Sequence, residues 1–309
     1  MKASTCILIV ALAFLWSCAG VKPAPETSDA QLSGHRETAK GIDWLRKGCR
    51  RRAWDAFLKS HRYFTLAGDA KGAAMALNNM GTVYRTAGEV SSALVFFEEA
   101  IEMYRQFQDD DGLLQALSNR AAALIDGGRL EDAARAMDAA RRIQQRLGIP
   151  FPALGVNAGL YYWKKGNLEA AKSALEAAVQ ETGPGDFLQT ARARSALGRL
   201  LLEMDRADAA LFHLESALAA DRAFQNFPGI AGDLETIGRV YLKQGDLSRG
   251  AAYLKQSLFA HAALGDGKKA EAILNLLERT CSPDTCRLEG VRHLLSQFLE
   301  DPLSRGLCD

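Results

Sequence analysis

The chain has 309 residues, enough for one or two globular domains or for one repeat array. Its 38 basic and 37 acidic residues nearly cancel, which argues against nucleic acid as a partner, because phosphate binding calls for a basic surplus or a basic face. Alanine and leucine are abundant, and β-branched runs are scarce beyond the N-terminus, a composition that favours helix. The six cysteines are Cys6, Cys18, Cys49, Cys281, Cys286 and Cys308, and none has the paired C-x-x-C spacing of a zinc site.

At the N-terminus Lys2 precedes the apolar run C-I-L-I-V-A-L-A-F-L-W. That run is shorter than the roughly 20 residues of a spanning helix and fits the core of a signal peptide. It ends in L-W-S-C, which resembles a bacterial lipobox with Cys18 as the lipidated residue; Trp16 departs from the small or polar residue usual at its position. The resemblance implies cleavage after residue 17, acylation of Cys18 and anchoring in the membrane through the acyl chains. Ala19 follows where an aspartate would signal inner-membrane retention, so the implied location is the outer membrane of the cell envelope, facing the periplasm. The alternatives are an ordinary signal peptide with a chance cysteine and an uncleaved anchor. Residues 18–33 are rich in Pro, Ser, Thr and small residues without an apolar period, and read as a flexible tether.

From residue 34 to 264 one spacing recurs six times. A small residue (Gly41, Gly81, Ala121, Gly159, Gly198, Gly238) is followed three residues later by a large one (Trp44, Tyr84, Leu124, Tyr162, Leu201, Tyr241). A turn position comes next (Gly48, Gly88, Gly128, Gly166, Asp205, Gly245), then a small, a bulky and a small residue, as in Ala93, Phe97 and Ala100. Steps of three and four place these residues on one helix face. A small residue beside a large one makes a hole beside a knob, so that two helices approach closely. The glycine ends the first helix in a left-handed conformation. The copies are spaced by 40, 40, 38, 39 and 40 residues. None of the eight prolines falls inside an expected helix, where each would cost about 3 kcal/mol.

The pattern resembles the tetratricopeptide repeat. That resemblance implies an all-α, right-handed superhelical solenoid of about six helix pairs. The usual repeat is about 34 residues long and often closes with a proline. Here the period is 38–40 and the proline is missing, so the second helices are expected to run one or two turns longer. Residues 265–309 supply two further helices and a tail, read as a capping pair with Lys268, Lys269, Glu278 and Arg279 facing outward. In an oxidising compartment thiols tend to pair. Cys281 and Cys286 bracket the turn between the capping helices and are the expected disulfide, with Cys308 a rival partner for either. An open solenoid keeps Cys49 unpaired or intermolecular, and a Cys49–Cys308 bond would contradict that openness.

No G-x-G-x-x-G, P-loop, G-x-S-x-G or H-E-x-x-H sequence occurs, and the five histidines are scattered. The reading is therefore of a protein without catalytic residues, metal or cofactor. By the resemblance, the first helices line a concave groove and the candidate contact positions are Asn78, Thr82, Arg85, Asp126, Trp163, Lys164, Arg199, Arg239 and Lys243. Tyr162 reads as a packing knob. The lysine and asparagine of the family's carboxylate clamp are missing, since Thr38, Ile42, Asn78 and Thr82 hold the matching positions in the first two repeats. The function implied is a lipid-anchored scaffold that binds a protein or peptide partner in its groove, as an envelope assembly or secretion accessory factor. The alternative is a sensor of small molecules or peptidoglycan fragments in the same groove. An enzyme is the least favoured reading, and the sequence does not specify an oligomeric state.

Overall fold

The structure, a computed structural model, describes residues 27–281, 286–300 and 308. Cys18 and the signal peptide lie outside the described residues. Twelve helices form six antiparallel pairs: α1 (Asp29–Arg46) with α2 (Arg50–Leu66), α3 (Ala70–Thr86) with α4 (Val90–Gln106), and α5 (Asp110–Asp126) with α6 (Leu130–Leu147). The series continues with α7 (Pro152–Lys164) and α8 (Leu168–Glu181), α9 (Phe187–Glu203) and α10 (Ala207–Phe224), then α11 (Phe227–Lys243) and α12 (Leu247–Ala263). Two more helices, α13 (Gly267–Thr280) and α14 (Glu289–Glu300), cover the C-terminal end. Among the described residues there is no strand.

The repeated spacing has its expected physical role. A Cβ on Gly81 would stand 2.6 Å from the Phe97 ring, and one on Gly198 would stand 2.6 Å from Leu214. Gly41 meets Phe57 and Gly159 meets Leu175 in the same way, so each hole receives the bulky residue of its own repeat. Phe57, Phe97, Leu175, Leu214 and Leu254 are all fully buried. The turn glycines Gly48, Gly88, Gly128, Gly166 and Gly245 have φ between 73° and 81°, and Asp205 takes φ 59° in the fifth repeat. At the final small position, Ser60 donates its hydroxyl to the Gly34 carbonyl and Ser257 donates to Ala231 at 2.7 Å, which satisfies two buried hydroxyls.

Several expectations are corrected. The extra residues per repeat do not lengthen the second helices alone; α3 and α4 both have 17 residues. Helix α1 takes in residues 29–33, assigned above to the tether. Ser28 accepts from the Gln31 amide and the Gln31 side chain accepts from the Ser28 amide, a capping box that starts the helix early. Tyr162 is exposed instead of serving as a buried knob. It lies in the last turn of α7, the shortest of the twelve repeat helices, and meets the Tyr161 ring edge-on at 5.4 Å.

The largest correction concerns openness. Cys49 is not unpaired: it is bonded to Cys308, with Cα atoms 5.0 Å apart. Cys281 and Cys286 form the second disulfide. The solenoid curves until its first turn reaches its sixth repeat. A Cβ on Gly48 would stand 2.8 Å from Leu264 and 3.2 Å from Pro228. The Arg46 guanidinium donates to the Phe224 carbonyl and lies 5.4 Å from the centre of the Phe224 ring. The first helices thereby surround a channel, where an open groove was expected.

Candidate functional site

The channel wall comes mainly from the first helix of each repeat, because each packs against the first helix of the next. Its cavities share residues and run together. One of about 700 Å³ is lined by Trp163, Ser195, Arg199, Glu203, Glu235, Arg239, Lys243 and Lys269, among others. A second, of about 270 Å³, lies deeper, between Arg85, Asn119, Asp126, Asn157, Gln189, Arg192, Ser195, Arg199, Asp221 and Asn226. Arg199 belongs to both and also to a third, beside Trp163 and Lys164. Arg192 continues into a fourth, at the closing contact, with Ile42, Thr82 and Pro228.

The positions expected to contact a ligand divide into two groups. Asn78 is buried and serves as a strut, because its Oδ1 accepts from Asn119 Nδ2 at 3.0 Å. Thr82 is half-buried and donates to the Asn78 carbonyl. Arg85 and Asp126 pair across α3 and α5 at 2.9 Å. Arg239 pairs with Glu235 on its own helix at 2.8 Å. Lys243 donates to the Leu202 carbonyl at 3.1 Å and pairs with Asp205. These side chains already have partners. Trp163, Lys164 and Arg199 are different. The Trp163 indole donates to Glu203 at 2.8 Å, but its ring stays half-exposed with the Arg199 guanidinium 5.7 Å from its centre. Lys164 and Arg199 form no ion pair among the described residues.

Four residues important to the channel were not anticipated. Asn157 donates to the carbonyl and the hydroxyl of Ser118 at 2.9 and 3.0 Å, repeating one repeat later the strut made by Asn119. Arg192 points along the channel, surrounded by protein yet reached by solvent. Burial and the neighbouring Arg85 push it down to about 10, opposed by Asp221, and it remains a cation at neutral pH. Asp221 is buried, and its Oδ1 accepts from Asn226 at 2.8 Å. Gly229 leaves room for that carboxylate, since a Cβ there would collide with Asp221 Oδ2. Burial pushes Asp221 up to about 6, against the pull of Asn226 and Arg192. Among the described residues Asp233, 1% exposed, closes no hydrogen bond of good geometry on either oxygen, although the Ser195 hydroxyl lies near enough to favour its charged form. Burial pushes it up to about 7, with Ser195 and Arg199 opposing and Asp221 reinforcing. One sequence signal pointed here: Asp221 interrupts the small apolar series A-L-A-A on α10, just ahead of the F-P-G that opens α11.

Models of the tetratricopeptide repeat match residues 73–106, which hold most of α3 and all of α4, and residues 156–181, which hold most of α7 and all of α8. The fold is a tetratricopeptide-repeat solenoid. No curated protein matches this solenoid in sequence. Among solved structures it is similar to a Rap protein complexed with Competence and Sporulation Factor, at 16% identity and TM-score 0.63, over 88% of this chain and 78% of that one. The Rap conjugation gene regulator of the plasmid pLS20, in complex with the Phr* peptide, gives 18% identity and TM-score 0.63 over 88% and 77%. A signal transduction ATPase with a tetratricopeptide repeat sensor from Pyrococcus horikoshii gives 14% identity and TM-score 0.61, and the match takes in 87% of this chain but only 42% of the ATPase. At these identities the likeness is one of fold. Among the described residues there is no cluster of His, Cys, Asp and Glu fit to hold a metal, and no helix long and apolar enough to cross a membrane.

Proposed function

We propose that this tetratricopeptide solenoid is an exported, lipid-anchored scaffold that binds an extended peptide segment of a protein partner inside its channel. The observation that carries the reading is the half-exposed Trp163 ring beside Arg199, which has no ion pair among the described residues, at the junction of three connected cavities. Tryptophan and arginine are the residue types that dominate binding hot spots. An extended chain offers backbone amides and carbonyls at every residue, and Gln189, Asn119 and Asn226 place amide groups along the same wall. Two solved proteins of similar fold are described in complex with a factor or a peptide. Export is supported by the N-terminal apolar run and by the two disulfides, which suit an oxidising compartment. The L-W-S-C sequence supports lipid anchoring through Cys18. An assembly or secretion role in the envelope follows as the proposed setting.

A photoreactive residue at position 232 tests the channel reading. Gly232 lines the large cavity, and a side chain there meets nothing within 4 Å. The same probe at Val95, which is 64% exposed, serves as the outer-surface control. A partner captured from position 232 and not from 95 is the expected result; the reverse overturns it. For the anchor, Cys18→Ala is expected to move the protein from the membrane to the soluble fraction, and unchanged fractionation refutes lipidation.

A further inference from the structure

The charges along the channel are not evenly satisfied. Every acid on the lining has a partner: Asp126 has Arg85, Glu203 has the Trp163 indole, Glu235 has Arg239 and Asp221 has Asn226. Four cations lack one. Among the described residues Arg192, Arg199, Lys164 and Lys269 form no ion pair, although all four line the connected cavities. Arg192, Ser195 and Arg199 stand at i, i+3 and i+7 on α9, so they share one face of that helix. Their stripe leads from the deep cavity to the wide one, where Lys269 stands on the exposed side of α13.

A guanidinium turned into a confined space without a counter-charge is a poor stability device, because burial penalises it and nothing local compensates. It is a good anion receptor for the same reason, since its five donors match a carboxylate in a two-pronged geometry. Asp233, Asp221 and Glu203 are the nearby acids that could have neutralised the stripe, and Glu203 is held by the Trp163 indole. Asp233 lies fully buried, hydrogen-bonded to neither arginine, and burial holds it up to about 7, so near neutrality it is only partly charged. Asp221 faces Arg192 but spends its Oδ1 on Asn226. The channel therefore presents positive charge in excess of negative.

Resting on the peptide-channel reading above, we infer that the channel selects an acidic segment, with Arg192 and Arg199 as the carboxylate-binding residues that set specificity and Trp163 as the adjoining apolar platform. Lys269 sits at the wide end, where it draws the same charge inward. The carboxylates are Asp and Glu side chains of a protein partner.

The test is selection of a random heptapeptide library, displayed on phage with free N-termini, against the purified full-length protein with its disulfides intact. Expected are peptides enriched in Asp and Glu. A synthetic copy of a selected peptide should bind about tenfold more weakly to Arg199→Gln, and again to Arg192→Gln. Arg239→Gln, whose arginine already holds Glu235, should change affinity less than about threefold. Binding should also weaken as salt rises, and replacing Glu by Gln in the peptide should abolish the difference between wild type and Arg199→Gln. Melting temperatures close to wild type show that the variants are folded. Neutral or basic selected peptides overturn the charge inference and leave the channel reading standing, provided that they cross-link from position 232. Acidic peptides indifferent to both arginines also overturn it. Recovery of no peptide at all refutes the peptide-channel reading itself, and the inference with it.

Discussion

The two halves of the channel wall are built from the same helices and treat their polar groups in opposite ways. In repeats two to four, α3, α5 and α7 face one another through closed contacts: Asn119 with Asn78, Arg85 with Asp126, and Asn157 with Ser118. In repeats five and six, α9 and α11 carry Arg192, Arg199 and Asp233, none with an ion-pair partner among the described residues, and Asp233 is buried. The first half uses polar side chains to hold helices at a fixed separation. The second pairs Arg239 and Lys243 but leaves Arg192 and Arg199 unspent on α9, at a cost in stability that makes sense where a guest completes them.

The largest test of this contrast concerns the link between the halves. Cys308→Ser opens the covalent loop from Cys49, whose ends are 259 positions apart in sequence. For a loop that long a loss of about 4 kcal/mol is expected, read as a lower thermal midpoint under oxidising conditions. No shift would mean that the contacts of Arg46 and Gly48 close the array unaided. Next, Asn157→Ala strips a buried carbonyl and a buried hydroxyl of their shared donor and should cost about 2 kcal/mol in chemical denaturation. A neutral result there would break the contrast, because the first half would then be no more self-satisfied than the second.

Asp233→Asn should act in the other direction. Asp233 titrates at about 7 in the folded protein against an ordinary value near 3.9. Between those values the folded state holds the extra proton, so this group lowers stability as pH rises from about 4 to about 7, and its penalty is complete above that window. The variant should match wild type near pH 4 and exceed it by about 1 kcal/mol at pH 8. Burial lowers His61, His213 and His261, which oppose this trend as pH falls, but they do so in both proteins and drop out of the difference. The smallest effect is expected from Arg199→Gln, a stability change within about 0.5 kcal/mol. A loss as large as that of Asn157→Ala would make Arg199 a structural residue like those of the first half.

Most of the fold was legible because its cause is local. Gly81 and Phe97 meet within one repeat, sixteen residues apart, so a small-then-bulky spacing specifies the contact and its recurrence specifies the array. The start of α1 was legible too, in Ser28 and Gln31, but a capping box is easily lost in a segment rich in small polar residues. The closure of the solenoid was not legible. It depends on a small rotation per repeat that accumulates over six copies, and no single residue carries it; Gly48 looks like every other turn glycine until Leu264 and Pro228 arrive beside it. The site was half legible for a similar reason. Trp163 and Arg199 follow from the helical register of a single repeat. Asn78 sits at an equally inward position yet is covered by its neighbour Asn119. Asp221 belongs to a second helix, α10, and enters the channel only because α11 begins with Pro228 and Gly229 beside it.

The Cys49–Cys308 bond has one more consequence. It joins the first turn of the array to the end of the chain, while the first turn also rests beside Leu264 and Pro228 of the sixth repeat. The closed form is thus held by a bond that a thiol reductant can cut. Once it is cut, only the contacts of Gly48 and Arg46 still hold the first repeat against the sixth. An oxidising compartment keeps the ring shut, and a reducing one leaves its closure to a few side chains.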